Sequence, residues 1–230
     1  MERTLEFTLN GDHPFSGRLA QGKAYHPGRS ALVALAHGAA NTMDHPLLVY
    51  LAEGLARSGS ACLRFNFPYS EAGRPKPDGQ DRLEATWGQV LAGIRADDAI
   101  TPGCLVAAGK SMGGRVASQM AAGGRLPVQG LIFYGYPLHF PGREDHLRDA
   151  HLDSIRVPML FFAGTRDPFC RPHLMRPVIE RLGRLATLVE IEDADHSFAL
   201  PGDRPNRQME VYGRLLAESL SWIDALTAKS

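Results

Sequence analysis

A serine flanked by two glycines is the group in this chain whose type and setting point most directly to chemistry. Gly109-Lys110-Ser111-Met112-Gly113 has the pattern G-x-S-x-G, which forms a strained turn between a strand and a helix and lifts the hydroxyl clear of the sheet. Side chains at Gly109 and Gly113 would collide with neighbouring elements. An apolar run before the pentapeptide and small residues after it predict that strand and that helix. Ser111 is therefore a candidate nucleophile.

A serine hydroxyl is a weak nucleophile unless a base removes its proton. His196 follows the last predicted strand and is the candidate base. Asp167 follows the preceding predicted strand and is the candidate acid that would orient the histidine. Asp193 and Asp195 are alternatives, but they lie so near His196 in sequence that we expect them to cap or solvate its loop. The chain order serine, acid, histidine fits this strand–turn–helix arrangement.

The negative charge that develops on an attacked carbonyl oxygen needs two aligned donors. The backbone N–H of Met112 is one candidate for this oxyanion hole. The other should come from the loop after the first central strand, where Ala39 is preferred and Ala40 is the alternative. His37, at the end of that strand, is expected to hydrogen-bond nearby backbone rather than to react.

The other reactive side chains show no comparable pattern. Lys110 could attract an anionic substrate, although we expect it to point to the upper edge of the sheet or to solvent. Cys170 is expected to be a packed thiol, with a redox-sensitive thiol as the alternative. The nine histidines show no metal-ligand spacing. The sequence thus predicts neither a metal site nor another cofactor.

Composition limits the classes of protein to which the chain can belong. Its 230 residues are 44% hydrophobic and 22% charged, and 25 Lys and Arg balance 25 Asp and Glu, which is typical of one globular domain over residues 1–230. Without a basic excess, nucleic-acid and membrane-surface partners are not expected. Three widely spaced cysteines and an N-terminus without an apolar run favour a cytoplasmic protein. We expect a small-molecule substrate, and the oligomeric state is not predicted.

The elements that must position these groups alternate between apolar strands and helices. Strands in which nearly every residue is apolar are typical of a parallel sheet covered on both faces, and they are predicted at 31–36, 61–65, 105–108, 131–134, 159–163 and 188–191. Helices are predicted from Pro46 to about Gly59, at 111–122, at 172–182 and along an apolar stripe from Met209 to Leu226. Residues 4–9 and 15–20 predict a hairpin at a sheet edge, with a turn at 10–12. The pattern indicates an α/β fold with a doubly wound, mostly parallel sheet and helices on both faces.

Two connections bear on access to the site. Residues 71–81 are polar and rich in Gly and Pro, which predicts an exposed, mobile loop. Only 24 residues, 135–158, separate two of the predicted strands, too few for a large cap domain, so we expect an open cleft. Open α/β sheets bind ligands at the carboxyl ends of their strands. Residues that follow strands are therefore candidate pocket walls, with core packing as the alternative: Met43, Tyr69, Tyr136, Leu138 and His139.

Six short strings of residues in the chain together resemble an α/β-hydrolase and, within that superfamily, the dienelactone-hydrolase-related proteins. They appear in family order along residues 31–226, and they are His37-Gly38-Ala39, Leu63-Arg64-Phe65, Gly109-Lys110-Ser111-Met112-Gly113, Tyr136-Pro137-Leu138-His139, Gly164-Thr165-Arg166-Asp167 and Asp195-His196-Ser197. Through the Tyr-Pro-Leu-His string, the chain is similar to the small hydrolase-like branch that includes testis-expressed vertebrate homologues.

The resemblance implies an α/β-hydrolase fold and a triad of Ser111, Asp167 and His196. Dienelactone hydrolases proper use cysteine as nucleophile, so the serine here favours ordinary ester chemistry over lactone hydrolysis. The expected function is a carboxylesterase-like serine hydrolase that cleaves small to medium esters through an acyl-enzyme. The alternatives are a thioesterase, acyltransferase or peptidase on the same triad, and a non-catalytic scaffold that binds a protein partner.

Overall fold

The computed structural model describes residues 2–9, 13–202 and 205–228. Eight strands form one sheet in the order β1-β2-β4-β3-β5-β6-β7-β8. They are β1 (Glu2–Leu9), β2 (His13–Gln21), β3 (Ala31–Ala36), β4 (Ala61–Phe65), β5 (Cys104–Lys110), β6 (Gly130–Tyr134), β7 (Met159–Gly164) and β8 (Ala186–Ile191). β2 pairs antiparallel with β1 and β4, and the remaining pairs are parallel. The predicted hairpin is confirmed at the sheet edge, and its predicted turn at 10–12 lies outside the described residues.

The five central strands are buried at every position. This holds for β3, β4, β5, β6 and β7, whereas the edge strand β8 is mostly half-buried. Burial on both faces explains why these segments are apolar without alternation. All of the predicted strands are confirmed, with ends that differ by no more than two residues.

Helices cover both faces of the sheet. Within the described residues they are α1 (Pro46–Arg57), α2 (Pro68–Glu71), α3 (Gln80–Ala96), α4 (Met112–Ala122), α5 (Pro172–Leu182) and α6 (Pro205–Thr227), with 3-10 turns at Ala150–Ser154 and Gly183–Leu185. One core cluster holds the buried faces of α1 and α6, and the other holds those of α3, α4 and α5. The doubly wound α/β architecture without a large cap domain is therefore confirmed. None of the helices in the described ranges combines the length and the apolar character needed to cross a membrane.

The main helical differences from the sequence predictions lie in α3 and α6. No helix is predicted between residues 71 and 103, yet α3 occupies much of that stretch and buries Leu83, Trp87, Val90, Leu91 and Ile94 at helical spacing. In α6 the predicted stripe begins one turn too early, because Met209 is 50% exposed whereas Val211, Leu215 and Ile223 face the core. The helical spacing of the apolar residues in α3 is itself a sequence signal for that helix. The position of the stripe in α6 depends instead on which face its neighbours cover, and periodicity alone does not identify those neighbours.

Candidate active site

Ser111 lies at the turn between β5 and α4. Its φ is 49° and its ψ is −113°, a conformation that costs a non-glycine residue about 1–3 kcal/mol and that clusters at functional sites. A Cβ on Gly109 would lie 2.2 Å from the backbone nitrogen of Gly114, and one on Gly113 would lie 2.6 Å from the carbonyl oxygen of His37. Both positions therefore need glycine, as predicted, because strand and helix backbones meet there.

The three side chains selected from the sequence form one continuous chain of hydrogen bonds. The Ser111 Oγ lies 2.8 Å from Nε2 of His196, and Nδ1 of His196 lies 2.7 Å from Oδ2 of Asp167. Asp167 is fully buried, and its other carboxylate oxygen accepts the Phe169 N–H at 2.7 Å. The fold thus brings together a hydroxyl, an imidazole and a carboxylate from the carboxyl ends of β5, β8 and β7.

Of the two rival acids, Asp195 holds the histidine loop in place. Asp195 Oδ1 accepts the backbone N–H groups of Ser197 and Ala199 at 2.7 Å and 2.9 Å, in agreement with the expected capping role. Asp193 contacts this region through its backbone N–H, which donates to Thr165 Oγ1. The ring of Phe169 adds a packing surface, with its centroid 4.5 Å from that of His196.

Lys110 is buried beneath the histidine loop. Its Nζ donates to the carbonyl oxygen of His196 at 2.6 Å, and the side chain is only 5% exposed. Burial lowers the pKa of Lys110 to about 8, against the attraction of Asp167 and Asp195, which raises it. Of the two expected positions, Lys110 takes the upper edge of the sheet and not solvent, and its ammonium group ties the end of β5 to the loop that carries His196.

The loop after β3 runs beside the nucleophile. A Cβ on Gly38 would lie 3.4 Å from the Cβ of Ser111. Gly38, Ala39 and Met112 all line the cavity over Ser111, whereas Ala40, with a φ of 55°, does not line it. The preferred donor pair, Ala39 and Met112, therefore lines the same cavity as the serine.

His37 holds this loop against the neighbouring one. Its Nδ1 donates to the carbonyl oxygen of Gly38 at 2.7 Å, and its Nε2 accepts the backbone N–H of Phe67 at 3.1 Å. Burial lowers the pKa of His37 to about 4, so the ring is neutral near pH 7 and can donate through one nitrogen while it accepts through the other. The expected structural role of His37 is confirmed.

A cavity of about 430 Å³ opens over Ser111 and His196. Its wall includes Pro77 and Asp78 of the loop before α3, Arg115 of α4, and Pro137, Phe140 and Arg148 of the connection after β6. Sequence reasoning missed Arg115, although it lies four residues after Ser111 and thus on the same face of the helix. Nothing in the local sequence around Arg148 indicates that it reaches the same cavity.

The five predicted wall residues lie behind the cavity and do not line it. Each is at most 4% exposed, and their polar groups bind backbone: the Tyr136 hydroxyl donates to the Arg148 carbonyl oxygen, and His139 Nε2 accepts the Arg171 N–H. The prediction that these residues form the pocket wall is wrong, because their side chains pack in the core, which was the alternative. The residues concerned are Met43, Tyr69, Tyr136, Leu138 and His139.

The remaining candidates for other chemistry are packed. Cys170 is fully buried, and burial raises the pKa of its thiol, as expected of an inert side chain. Cys62 and Cys104 are also buried thiols. In the part of the chain that the structure describes, no group of three His, Cys, Asp or Glu side chains is placed to hold a metal ion.

Known proteins share this architecture. The chain aligns over 96% of its length with a serine hydrolase without a lid from Xanthomonas campestris (94% of that chain, 21% identity, TM-score 0.73). It aligns over 93% of its length with a dienelactone hydrolase from Anabaena variabilis (95% of that chain, 20% identity, TM-score 0.69). It aligns over 96% of its length with Est1E from Butyrivibrio proteoclasticus (99% of that chain, 17% identity, TM-score 0.71). At these identities the similarity concerns the fold. A model of the family described as alpha/beta hydrolase domain matches residues 29–224, and the chain therefore belongs to that family.

Proposed function

We propose that this protein is a serine hydrolase that cleaves small to medium carboxylic esters, with Ser111 as nucleophile, His196 as base and Asp167 as orienting acid. The observation that carries the proposal is the hydrogen-bond chain from Ser111 through His196 to Asp167 at the floor of an open cavity. Nucleophile, base and orienting group within hydrogen-bond reach are the arrangement that activates a serine.

Each group has one task in the reaction. His196 takes the Ser111 proton as the hydroxyl oxygen attacks the ester carbonyl carbon, and the carbonyl π electrons move onto oxygen. The N–H groups of Ala39 and Met112 stabilise that oxyanion, assisted by the positive end of α4. The C–O bond to the alcohol then breaks and the alcohol leaves with the proton from His196. Water, activated by the same histidine, attacks the acyl-enzyme and releases the acid.

Ester chemistry is favoured over the alternatives by two further observations. The nucleophile is serine, whereas the dienelactone hydrolases that the chain resembles use cysteine. An esterase domain of a Rhodothermus marinus protein also shares the fold over 95% of this chain and 98% of its own length. We place the chain in the branch with the testis-expressed homologues on the string at 136–139.

Labelling with a fluorophosphonate probe tests the proposal. We expect the wild type to be labelled at Ser111, as located by peptide mass spectrometry, and Ser111→Ala to be unlabelled. Ser58→Ala, at the exposed end of α1, is the matched control and should label like the wild type. A wild type that resists the probe would favour a non-catalytic scaffold, and labelling at another residue would displace Ser111.

A further inference from the structure

Two guanidinium groups share the cavity with the proposed nucleophile. Arg115 lies one turn after Ser111 on α4, and its backbone N–H donates to the Ser111 carbonyl oxygen at 3.0 Å. Arg148 comes from the connection after β6, where its guanidinium carbon lies 3.6 Å from the centroid of the Phe140 ring. Both arginines line the cavity, so two separate elements bring positive charge to one place beside the serine.

Neither guanidinium has a carboxylate partner among the described residues. Arg115 uses a single nitrogen, Nη1, which donates to the side-chain oxygens of Gln119 at 2.7 Å and Gln80 at 3.4 Å. Stacking on Phe140 occupies one face of the Arg148 guanidinium, and its N–H edges meet no acceptor in the part of the chain that the structure describes. An arginine has five N–H donors, so most donors of both side chains lack an acceptor among these residues.

The nearby carboxylates each have an arginine partner of their own, and Glu84 also attracts Arg115. Asp78 also lines the cavity, but its Oδ1 accepts from both Arg74 at 2.8 Å and Arg82 at 3.2 Å. On the flanking elements, Glu84 pairs with Arg125, and Asp149 pairs with Arg181. The wall therefore has a surplus of positive charge in a chain whose formal net charge is zero.

An anion between the two arginines would stabilise this arrangement. Burial lowers the pKa of Arg115, and burial together with the nearby Arg115 charge lowers the pKa of Arg148. Two like charges in a partly desolvated cavity repel each other, and an anion between them replaces that repulsion with two attractions. The planar fork of each guanidinium matches the paired oxygens of a carboxylate or a phosphate.

We propose that the preferred substrate is an ester that carries a second, anionic oxygen group, and that Arg115 and Arg148 bind this group while Ser111 attacks the ester carbonyl. The inference rests on the proposed serine hydrolase function and specifies its substrate class. A half-ester of a dicarboxylic acid has this chemistry, and an ester with a phosphate end shares it. In either case the arginines select the substrate, and Ser111 and His196 act on the reacting atoms.

The test compares two esters of equal chain length that differ in charge, p-nitrophenyl hemiadipate and p-nitrophenyl hexanoate. We expect the wild type to favour the charged ester by about tenfold or more in kcat/KM, and Arg115→Gln and Arg148→Gln each to reduce that preference by about tenfold, as expected for a charge-assisted hydrogen bond. Arg115→Lys keeps the charge and should retain part of the preference. Arg57→Gln, at the exposed end of α1, is the control and should keep it entirely. An unchanged preference in both Gln variants would overturn the inference.

Binding to Ser111→Ala separates this inference from the proposed function. Titration calorimetry of that variant with adipate, and separately with inorganic phosphate, shows which anion the wall takes without any turnover. We expect one of the two to bind and the binding to be lost when Arg115→Gln is added. Binding without hydrolysis of either ester would leave the anion site standing and reject the hydrolase, whereas Ser111-dependent hydrolysis without anion binding would reject only the inference.

Discussion

The floor of the cavity (Ser111, His196 and Asp167) and its wall (Arg115 and Arg148) differ in how far their polar groups are hydrogen-bonded. On the floor, His196 lies between Ser111 and the buried Asp167, and both ring nitrogens have a partner. On the wall, Arg115 and Arg148 keep most of their donors free within the described part of the chain. Groups that are already hydrogen-bonded in place suit a reaction that every substrate undergoes. Donors that still lack an acceptor suit a choice among substrates, because only a ligand with matching acceptors completes their hydrogen bonds.

A third arginine shows what a structural guanidinium looks like in the same molecule. Arg64 is 1% exposed and is surrounded by Glu2, the Asp44 carboxylate at 3.2 Å and the Met43 carbonyl oxygen at 2.6 Å. There the fold supplies the counter-charge that a buried cation requires. The contrast with Arg115 and Arg148 is the strongest reason to assign those two to a ligand.

The largest effect should come from the floor. Ser111→Ala removes the proposed nucleophile, and we expect kcat to fall by about 10⁴-fold or more for charged and neutral esters alike. The measurement is steady-state hydrolysis of both p-nitrophenyl esters, with circular dichroism to verify the fold. Equal loss on both esters would sharpen the distinction between floor and wall, and retention of most activity would remove Ser111 from the mechanism.

Asp167→Asn should have the next largest effect. The amide keeps the shape of the carboxylate but can donate to Nδ1, which favours the wrong histidine tautomer and withdraws the stabilising charge, so we expect kcat to fall by about 10²- to 10⁴-fold. Asp224→Asn, on the exposed side of α6, is the matched control. If Asp167→Asn keeps the wild-type kcat, another group must orient His196.

Lys110→Met tests how far catalysis depends on the hydrogen bond from Lys110 to the loop that carries His196. Met fills a similar volume but cannot donate to the His196 carbonyl oxygen, so the histidine loop loses the anchor seen at 2.6 Å. We expect kcat to fall by about tenfold with little change in KM, in line with the loss of one buried hydrogen bond to a charged group. A changed KM with an unchanged kcat would instead place Lys110 with the wall.

The same variant predicts a pH dependence of stability. In the unfolded chain lysine titrates near its ordinary pKa of about 10.4, whereas burial lowers the folded-state pKa of Lys110 to about 8. Between these values the unfolded chain binds more protons, so the wild-type free energy of unfolding, relative to that of Lys110→Met, should rise with pH from about 8 to about 10 and stay flat below. Denaturant unfolding of both proteins at several pH values measures this difference, and parallel curves would contradict it.

The smallest expected effect lies on the wall. Phe140→Ala removes the ring on which Arg148 stacks, and a cation–π contact at such an exposed site is worth about 0.5–1 kcal/mol. We expect the preference for the charged ester to fall by about two- to fivefold, with little change on the neutral ester. The ratio of kcat/KM for the hemiadipate and hexanoate esters measures this, and a rise in the ratio would argue that Phe140 blocks the anion.

The limits of the sequence predictions appear within a single connection. The segment after β6 was expected to reach the ligand end of the sheet, and Pro137 and Phe140 do line the cavity, whereas Tyr136, Leu138 and His139 turn into the core. Which side chains face the cavity depends on what packs behind them, and that comes from distant parts of the chain such as Arg171. No local pattern carries this information.

The sequence by itself determined the fold class and the three groups on the floor. Runs of apolar residues specify buried parallel strands, and the glycines around Ser111 specify a turn that few other residues can adopt, so these features follow from short-range sterics and burial. Only the tertiary structure decided that Lys110 supports the histidine loop and that Arg115 and Arg148 line one cavity with no carboxylate ion pair within the described ranges. Pairing of charges depends on distances between remote elements, and chain packing alone establishes those distances.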